Sequence, residues 1–385
     1  MIKVGVIFGT RPEVIKLAPV ILEMKKYPKR IMPVVITTSQ HREILKQPLE
    51  LFDITPDFDL DIMKSDQNLF DVSTKILTGI KNILYQTSPD IILVQGDTST
   101  TFLSALAAFY LKIKIGHVEA GLRTQNRYNP FPEEMNRRLV GTLANYHFAP
   151  TDLSKGNLLK EGIDENRILI TGNTSIDAIQ WVIDNIIPNT CCHLDSRFPW
   201  LNSQGKHLLV TTHRRESFGD PIWQIMLALK SILIRHPDVN ITFPVHPNPN
   251  VRKVVYEHLN GIDRAHLIDP VRYDEFIYLM KRSHFILTDS GGIQEEAPYL
   301  GKPVLVLRDT TERPEAVAIG ANHVVGTNHD DIVQATENLL DCCFKTKDGK
   351  GNRTPFGDGT GSTIIVNWLL QNFQPTPLID LSIAN

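Results

Sequence analysis

With 385 residues, 42% of them hydrophobic and 22% charged, the chain has an ordinary globular composition and is long enough for about two domains, each with its own core. A formal net charge of −3, from 40 basic and 43 acidic residues of interspersed sign, excludes a nucleic-acid surface built on bulk charge, so any cationic site must be local. No stretch approaches about 20 uninterrupted apolar residues, and the first apolar run is too short for a signal peptide, so a cytoplasmic protein with no membrane partner is expected.

Residues 2–8 read as a buried strand. Gly9 turns it, and Thr10-Arg11-Pro12-Glu13 predicts a capping box at the head of a helix reaching about Lys26. Strand, tight turn and helix open a Rossmann-like unit. The pattern recurs with strands at 32–37 and 90–95, a helix at 99–111, a strand at 113–118 and a helix at 133–143. Such alternation implies a parallel sheet covered on both faces. A second series starts after Gly172-Asn173, where the domain boundary is placed. It has a helix at 175–185, an irregular polar stretch with Pro188, Cys191 and Pro199, and strands at 208–212, 241–245, 265–268, 285–288 and 303–307. Residues 345–362, rich in Gly, Lys and Asp, read as a crossing loop before a last helix at 363–373. The fold class is α/β, with domains at 1–172 and 173–362.

Ligands of open parallel sheets sit beyond the carboxyl ends of the strands, and that rule sorts the polar residues. Arg11, Asp97 and Glu119 follow strands in the first half; His213-Arg214-Arg215-Glu216, His246 and Ser290-Gly291-Gly292 follow strands in the second. Asp97, ahead of Thr98-Ser99, also suits a helix cap, and Glu133 and Glu134 after Pro132 also suit first-turn helix acids. Glu119, ahead of Ala120-Gly121, has no capping task. Lys16 reads equally as a solvated helix residue, and His246 as a half-buried histidine. Three cationic or potentially cationic groups at 213–215 repel one another unless an anion gathers them.

The segment 283–315 is the most pointed. A strand, the turn Asp289-Ser290-Gly291-Gly292, a short helix with Glu295 and Glu296 expected in its first turn, a second strand and then Arg308 to Arg313 build an anion pocket. The chain has no G-x-G-x-x-G after a strand, no Walker A loop, no G-x-S-x-G, no H-E-x-x-H and no C-x-x-C. The reading is a cofactor-free, metal-free site for a sugar diphosphate with several carboxylates about it.

Together these motifs closely resemble the non-hydrolysing UDP-N-acetylglucosamine 2-epimerases. The resemblance rests on Phe8-Gly9-Thr10-Arg11-Pro12-Glu13, Gln95-Gly96-Asp97-Thr98, Gly116 to Thr124, Pro132-Glu133-Glu134, His213 to Glu216, Pro244-Val245-His246, Thr288 to Pro298 and Arg308 to Glu315, and so spans nearly the whole chain. It implies a GT-B architecture, two Rossmann-like domains whose parallel sheets face a central cleft, with the last helix crossing back to the first domain, and a homodimer. It implies an isomerase that interconverts UDP-GlcNAc and UDP-ManNAc through 2-acetamidoglucal and UDP, for polysaccharide biosynthesis. Arg11, Asp97, Glu119, His213, Phe276, Ser290, Gly291, Gly292, Glu296 and Arg313 match substrate-binding residues of the family; Lys16, Asp97, Glu119, Glu133 and His213 match those implicated in the chemistry. An activator site for a second UDP-GlcNAc would use Gln40, Glu43, Asp66, Arg214 and His246. Glu43 and Asp66 stand where a glutamine and a basic residue are expected, so this site is expected to be weakened. Rival readings are a GT-B glycosyltransferase, a hydrolysing epimerase and a catalytically silent nucleotide-sugar sensor.

Overall fold

The computed structural model describes residues 1–39, 42–62, 68–214, 217–341 and 354–373, with the backbone alone at 42–44. It divides into two compact units, Met1–Ala178 together with the segment from Gly359, and Ile179–Asp358.

In the first unit, β1 (Ile2–Phe8), α1 (Arg11–Lys25), β2 (Ile31–Thr37), α2 (Arg42–Leu51), β3 (Phe58–Asp59), α3 (Leu69–Thr87), β4 (Ile91–Gln95), α4 (Ser99–Tyr110), β5 (Lys114–Val118), α5 (Glu133–Leu143), β6 (Tyr146–Ala149), α6 (Asp152–Lys160) and β7 (Ile168–Ile170) follow in turn. The sheet is parallel, in the order β3-β2-β1-β4-β5-β6-β7. Every residue of β4 is buried, as a strand with helices on both faces requires. Ile7, Ile36, Ile76, Ile80, Ile92, Val94, Ala105 and Val140 form the core of this unit, each large side chain contributing about 2 kcal/mol. The three strands of this unit missing from the sequence reading, β3, β6 and β7, are two to four residues long, as short as the missing strand Asn322–Val324 of the second unit.

The helix α7 (Thr174–Asn185) carries the division between the units. The second unit continues with α8 (Ile187–Arg197), β8 (Lys206–Thr211), α9 (Asp220–Arg235), β9 (Val239–Pro244), α10 (Pro249–Leu259), β10 (Ala265–Ile268), α11 (Tyr273–Arg282), β11 (Phe285–Thr288), α12 (Gly291–Tyr299), β12 (Val304–Val306), α13 (Pro314–Ala318), β13 (Asn322–Val324) and α14 (His329–Asp341). Its sheet is also parallel, in the order β10-β9-β8-β11-β12-β13.

The stretch expected to be irregular is instead α8 followed by a 3-10 turn, Pro199–Asn202. Pro188 occupies the first turn of α8, where its missing N–H breaks no hydrogen bond. Asp195 anchors that helix by accepting from the Tyr278 hydroxyl at 2.5 Å and Arg282 Nη1 at 3.0 Å.

The last helix, α15 (Gly361–Asn372), packs on the first unit. Trp368 meets Tyr146 and Phe148 edge-on, with ring centroids 4.6 and 5.4 Å apart. Buried Asp177 caps the helix start, accepting from the Ser362 backbone N–H at 2.7 Å and its hydroxyl at 2.6 Å. Among the described residues no helix is long and apolar enough to cross a membrane.

Candidate active site

The strand order of the first sheet reverses between β1 and β4, which marks the carboxyl edge of these strands as the place for a ligand. Arg11 begins α1 just after β1, Asp97 follows β4 and Glu119 follows β5, so three of the expected residues stand at the ends of three adjacent strands. Glu13 ties two of those ends together. This carboxylate is 1% exposed and accepts from the backbone N–H of Gly9 at 3.0 Å, the N–H and hydroxyl of Thr10 at 2.8 and 2.7 Å, and the hydroxyls of Thr98 and Thr101 at 2.7 and 2.9 Å. Burial pushes its pKa up, against the pull of these donors. The turn is closed so tightly that a Cβ at Gly9 would lie 2.2 Å from Thr38 Oγ1 and 2.3 Å from Thr100 Oγ1.

Glu119 has a φ of 62°, the left-handed region, at a cost of about 1 to 2 kcal/mol for a residue other than glycine. Its surroundings hold it there. Oε2 pairs with Lys16 Nζ and accepts from Gln95 Nε2 at 3.0 Å and Asn173 Nδ2 at 3.2 Å. Lys16 is therefore no solvated helix residue but the ionic partner of a candidate catalytic acid.

Asp97 is paired with Arg137 Nη2 at 2.5 Å, and its carbonyl accepts from Asn136 Nδ2 at 2.9 Å. His117 supports the same turn. Burial holds its pKa down to about 4, so the neutral ring donates from Nε2 to the Gly96 carbonyl at 2.7 Å. The two acids that open α5 separate cleanly. Glu134 is fully buried, accepts from the Thr124 N–H and from Arg138 Nε, each at 3.0 Å, and is committed to structure. Glu133 is half-buried, and its side chain makes no hydrogen bond or ion pair with another described residue.

In the second sheet the order reverses between β8 and β11. His213 and Arg214 follow β8 and Ser290-Gly291 follow β11, at that switch point. A Cβ placed on Gly291, the first residue of α12, would lie 3.6 Å from Arg214 Nη2 and 3.8 Å from Arg313 Nη2. Two guanidinium groups thus converge on a helix N-terminus, where unpaired N–H groups already carry partial positive charge. Arg313 is aimed by Glu295, which pairs with its Nε.

Glu295 and Glu296 lie in the second turn of α12, not the first, because the helix already begins at Gly291. There Glu295 serves Arg313, and Glu296 accepts from the Tyr273 hydroxyl at 3.4 Å. Phe276 sits half-buried on α11, and Gly292 in the first turn of α12 has open space where a side chain would be. The His246 ring stacks on that of His213, with centroids 5.8 Å apart and planes 26° apart, and burial lowers its pKa. Of the expected activator residues, Arg214 and His246 are therefore beside Gly291 and His213. Gln40, Asp66 and the Glu43 side chain lie outside the described residues. Among those described, no group of three His, Cys, Asp or Glu side chains could hold a metal ion.

Residues 23–370 match the model of the UDP-N-acetylglucosamine 2-epimerase family. The chain belongs to that family. A UDP-N-acetylglucosamine 2-epimerase of Neisseria meningitidis is 48% identical over 371 residues, 96% of this chain and 100% of that protein. A crystal structure of the Neisseria meningitidis epimerase bound to UDP-GlcNAc is similar with a TM-score of 0.90 at 48% identity, covering 96% of this chain and 100% of that one. That of Methanocaldococcus jannaschii, in complex with UDP-GlcNAc and UDP, gives 0.81 at 36% identity, again over 96% and 100% of the two chains. The family and the GT-B-like α/β fold expected from the motifs are the ones found. Within this epimerase fold, sequence reasoning missed the residues that hold the candidate site: Gln95 and Asn173 on Glu119, Arg137 on Asp97, Glu13 between two strand ends, and Glu295 on Arg313. Gln95, a polar residue ending an otherwise apolar strand, carried a signal; Asn173 and Arg137 carried none.

Proposed function

We propose that this protein interconverts UDP-GlcNAc and UDP-ManNAc without cofactor or metal, and so supplies ManNAc units for cell-surface polysaccharide. Arg11, His213, Phe276, Ser290, Gly291, Gly292, Glu296 and Arg313 bind the nucleotide sugar. Asp97, Glu119 and Glu133, with Lys16, form the acid–base set. The observation that carries this reading is the convergence of Arg214 and Arg313 on Gly291 at the start of α12, a place suited to a diphosphate.

The C2 hydrogen of the sugar is too weakly acidic for direct abstraction. Instead the C1–O bond to UDP breaks first, its electron pair leaving on the diphosphate, and the resulting oxocarbenium character acidifies C2. A carboxylate then takes the C2 proton, forming the C1=C2 double bond of 2-acetamidoglucal. UDP adds back at C1 while an acid delivers a proton to the opposite face of C2. The cations and the α12 N-terminus stabilise the charge on the leaving group.

Incubating the purified protein with UDP-GlcNAc alone in deuterium oxide tests this: deuterium at C2 in both epimers is expected. Product formed only on adding a sugar acceptor, or retention of the original C2 hydrogen, would refute it. Release of free ManNAc would point to the hydrolysing reaction instead. A cytoplasmic homodimer belongs to the same proposal. The exposed aromatics Phe70 and Tyr85 of α3 and Phe109 and Tyr110 of α4, two helices in contact, support a protein interface, and sedimentation should give about twice the chain mass.

A further inference from the structure

We propose that Asp289 is the positioning residue for His213: its carboxylate accepts from imidazole Nδ1–H, and so orients the ring and supports the imidazolium form, which can donate through Nε2 to the departing diphosphate. The inference rests on the epimerase reading and deepens it by one residue. Asp289 is fully buried, whereas the His213 side chain is 40% exposed. Its two oxygens have separate tasks. Oδ2 accepts from the Thr212 hydroxyl at 2.8 Å, the N–H groups of His213 and Arg214 at 2.8 and 2.9 Å, and the Ser217 hydroxyl at 3.3 Å, which folds the turn after β8. Oδ1 takes none of these donors. It is a buried polar atom whose polar neighbour among the described residues is His213 Nδ1, 3.1 Å away.

A carboxylate oxygen facing a ring nitrogen at that distance requires a hydrogen on the nitrogen, since two acceptors there would repel. The ring is then either the neutral Nδ1–H form or the imidazolium, and in both a carboxylate sets the orientation. Its neighbours oppose a cation: Arg214 in the same turn carries a positive charge, and the His246 ring stacked on it after β9 would add another if protonated. Asp289 is the described carboxylate in contact with His213 that offsets them. Burial alone would raise its pKa, but His213 and the backbone donors outweigh this and bring it down to about 2, so it is ionised throughout the working range. Because β8 and β11 are paired neighbours, Asp289 and His213 bridge the switch point of the sheet.

The test is 15N NMR of the His-labelled protein, with the His213 signal identified from H213N, together with pH profiles of kcat. In the parent protein His213 should carry its hydrogen on Nδ1. In D289N the amide can still accept from the turn but sets an N–H against Nδ1, so the hydrogen should move to Nε2, and the ring loses the carboxylate that supports its protonated form. The alkaline limb of kcat should then move to lower pH and kcat should drop roughly 100-fold, with KM changed much less. T212V, which removes one donor to Oδ2 and leaves Oδ1 in place, should keep the parent's tautomer and pH limb; a shift like that of D289N would make the role merely structural. A parent His213 with bare Nδ1 overturns the proposal, and needs no variant to fold. So does a folded D289N with unchanged tautomer and limb. Absence of C2 exchange in the parent would instead overturn the epimerase reading, while the tautomer measurement still decides for Asp289.

Discussion

Glu119 joins three unfavourable choices in one residue: a left-handed backbone, burial, and a negative charge held by Lys16, Gln95 and Asn173. Neither packing nor capping needs them, which is the residue-scale argument that it works on substrate. Glu119→Gln keeps the shape and removes the charge, so kcat should fall by roughly 10² or more in an epimerisation assay. It also removes the ionic partner of half-buried Lys16, and the midpoint of urea unfolding should drop. His213→Asn should lower turnover by roughly 10² through loss of a charge stabiliser; near-normal turnover in the folded variant would remove it from the site. Asp97 and Glu119 are legible in the sequence because each follows an apolar strand, where a charge is conspicuous. Their holders are not. Arg137 and Asn173 lie in polar surroundings, and only the fold reveals that they face a carboxylate.

At the scale of elements, β5 and β6 pair residue for residue and bring His117 opposite His147, both buried. His147 has no hydrogen-bond partner for either ring nitrogen among the described residues, and burial, helped by His117 and Arg167, lowers its pKa to about 3. Its folded pKa lies below the unfolded value of about 6.5, so the unfolded chain takes up the proton first as pH falls. The stability it contributes is complete above about pH 6.5 and is lost between there and about pH 3. Between about pH 7 and pH 5 that loss is about 2 kcal/mol, and His147→Leu should abolish it, so the urea midpoint of the variant should fall less over this interval. The long helices and central strands are legible from periodicity and caps. The region of α8 is not, because Pro188 and Pro199 read as breakers when each is in fact the start of a helical turn. The α12 acids are misplaced by one turn for a related reason: glycines that look like a loop already belong to the helix.

For the whole molecule, the family resemblance implies an activator site that would use Glu43 and Asp66, and these two acids would then stand where a second nucleotide sugar's diphosphate is expected. Like charges within a few ångströms of a diphosphate cost on the order of 1 kcal/mol even when partly screened, so activation by UDP-GlcNAc should be weak or absent. An assay started from pure UDP-ManNAc should run without a lag. A long lag abolished by a trace of UDP-GlcNAc would show that the activator site survives. A last consequence follows from α15 lying with the first unit. That unit is assembled from both ends of the chain, whereas the second is one uninterrupted stretch, Ile179–Asp358. On the ribosome the second unit has its whole sequence available first, while Tyr146 and Phe148 wait uncovered for Trp368, the partner made last. The order of synthesis and the order of completion are therefore reversed. The nascent first unit is the vulnerable one, and chains released just short of α15 should aggregate or be degraded although every candidate catalytic residue has already been made.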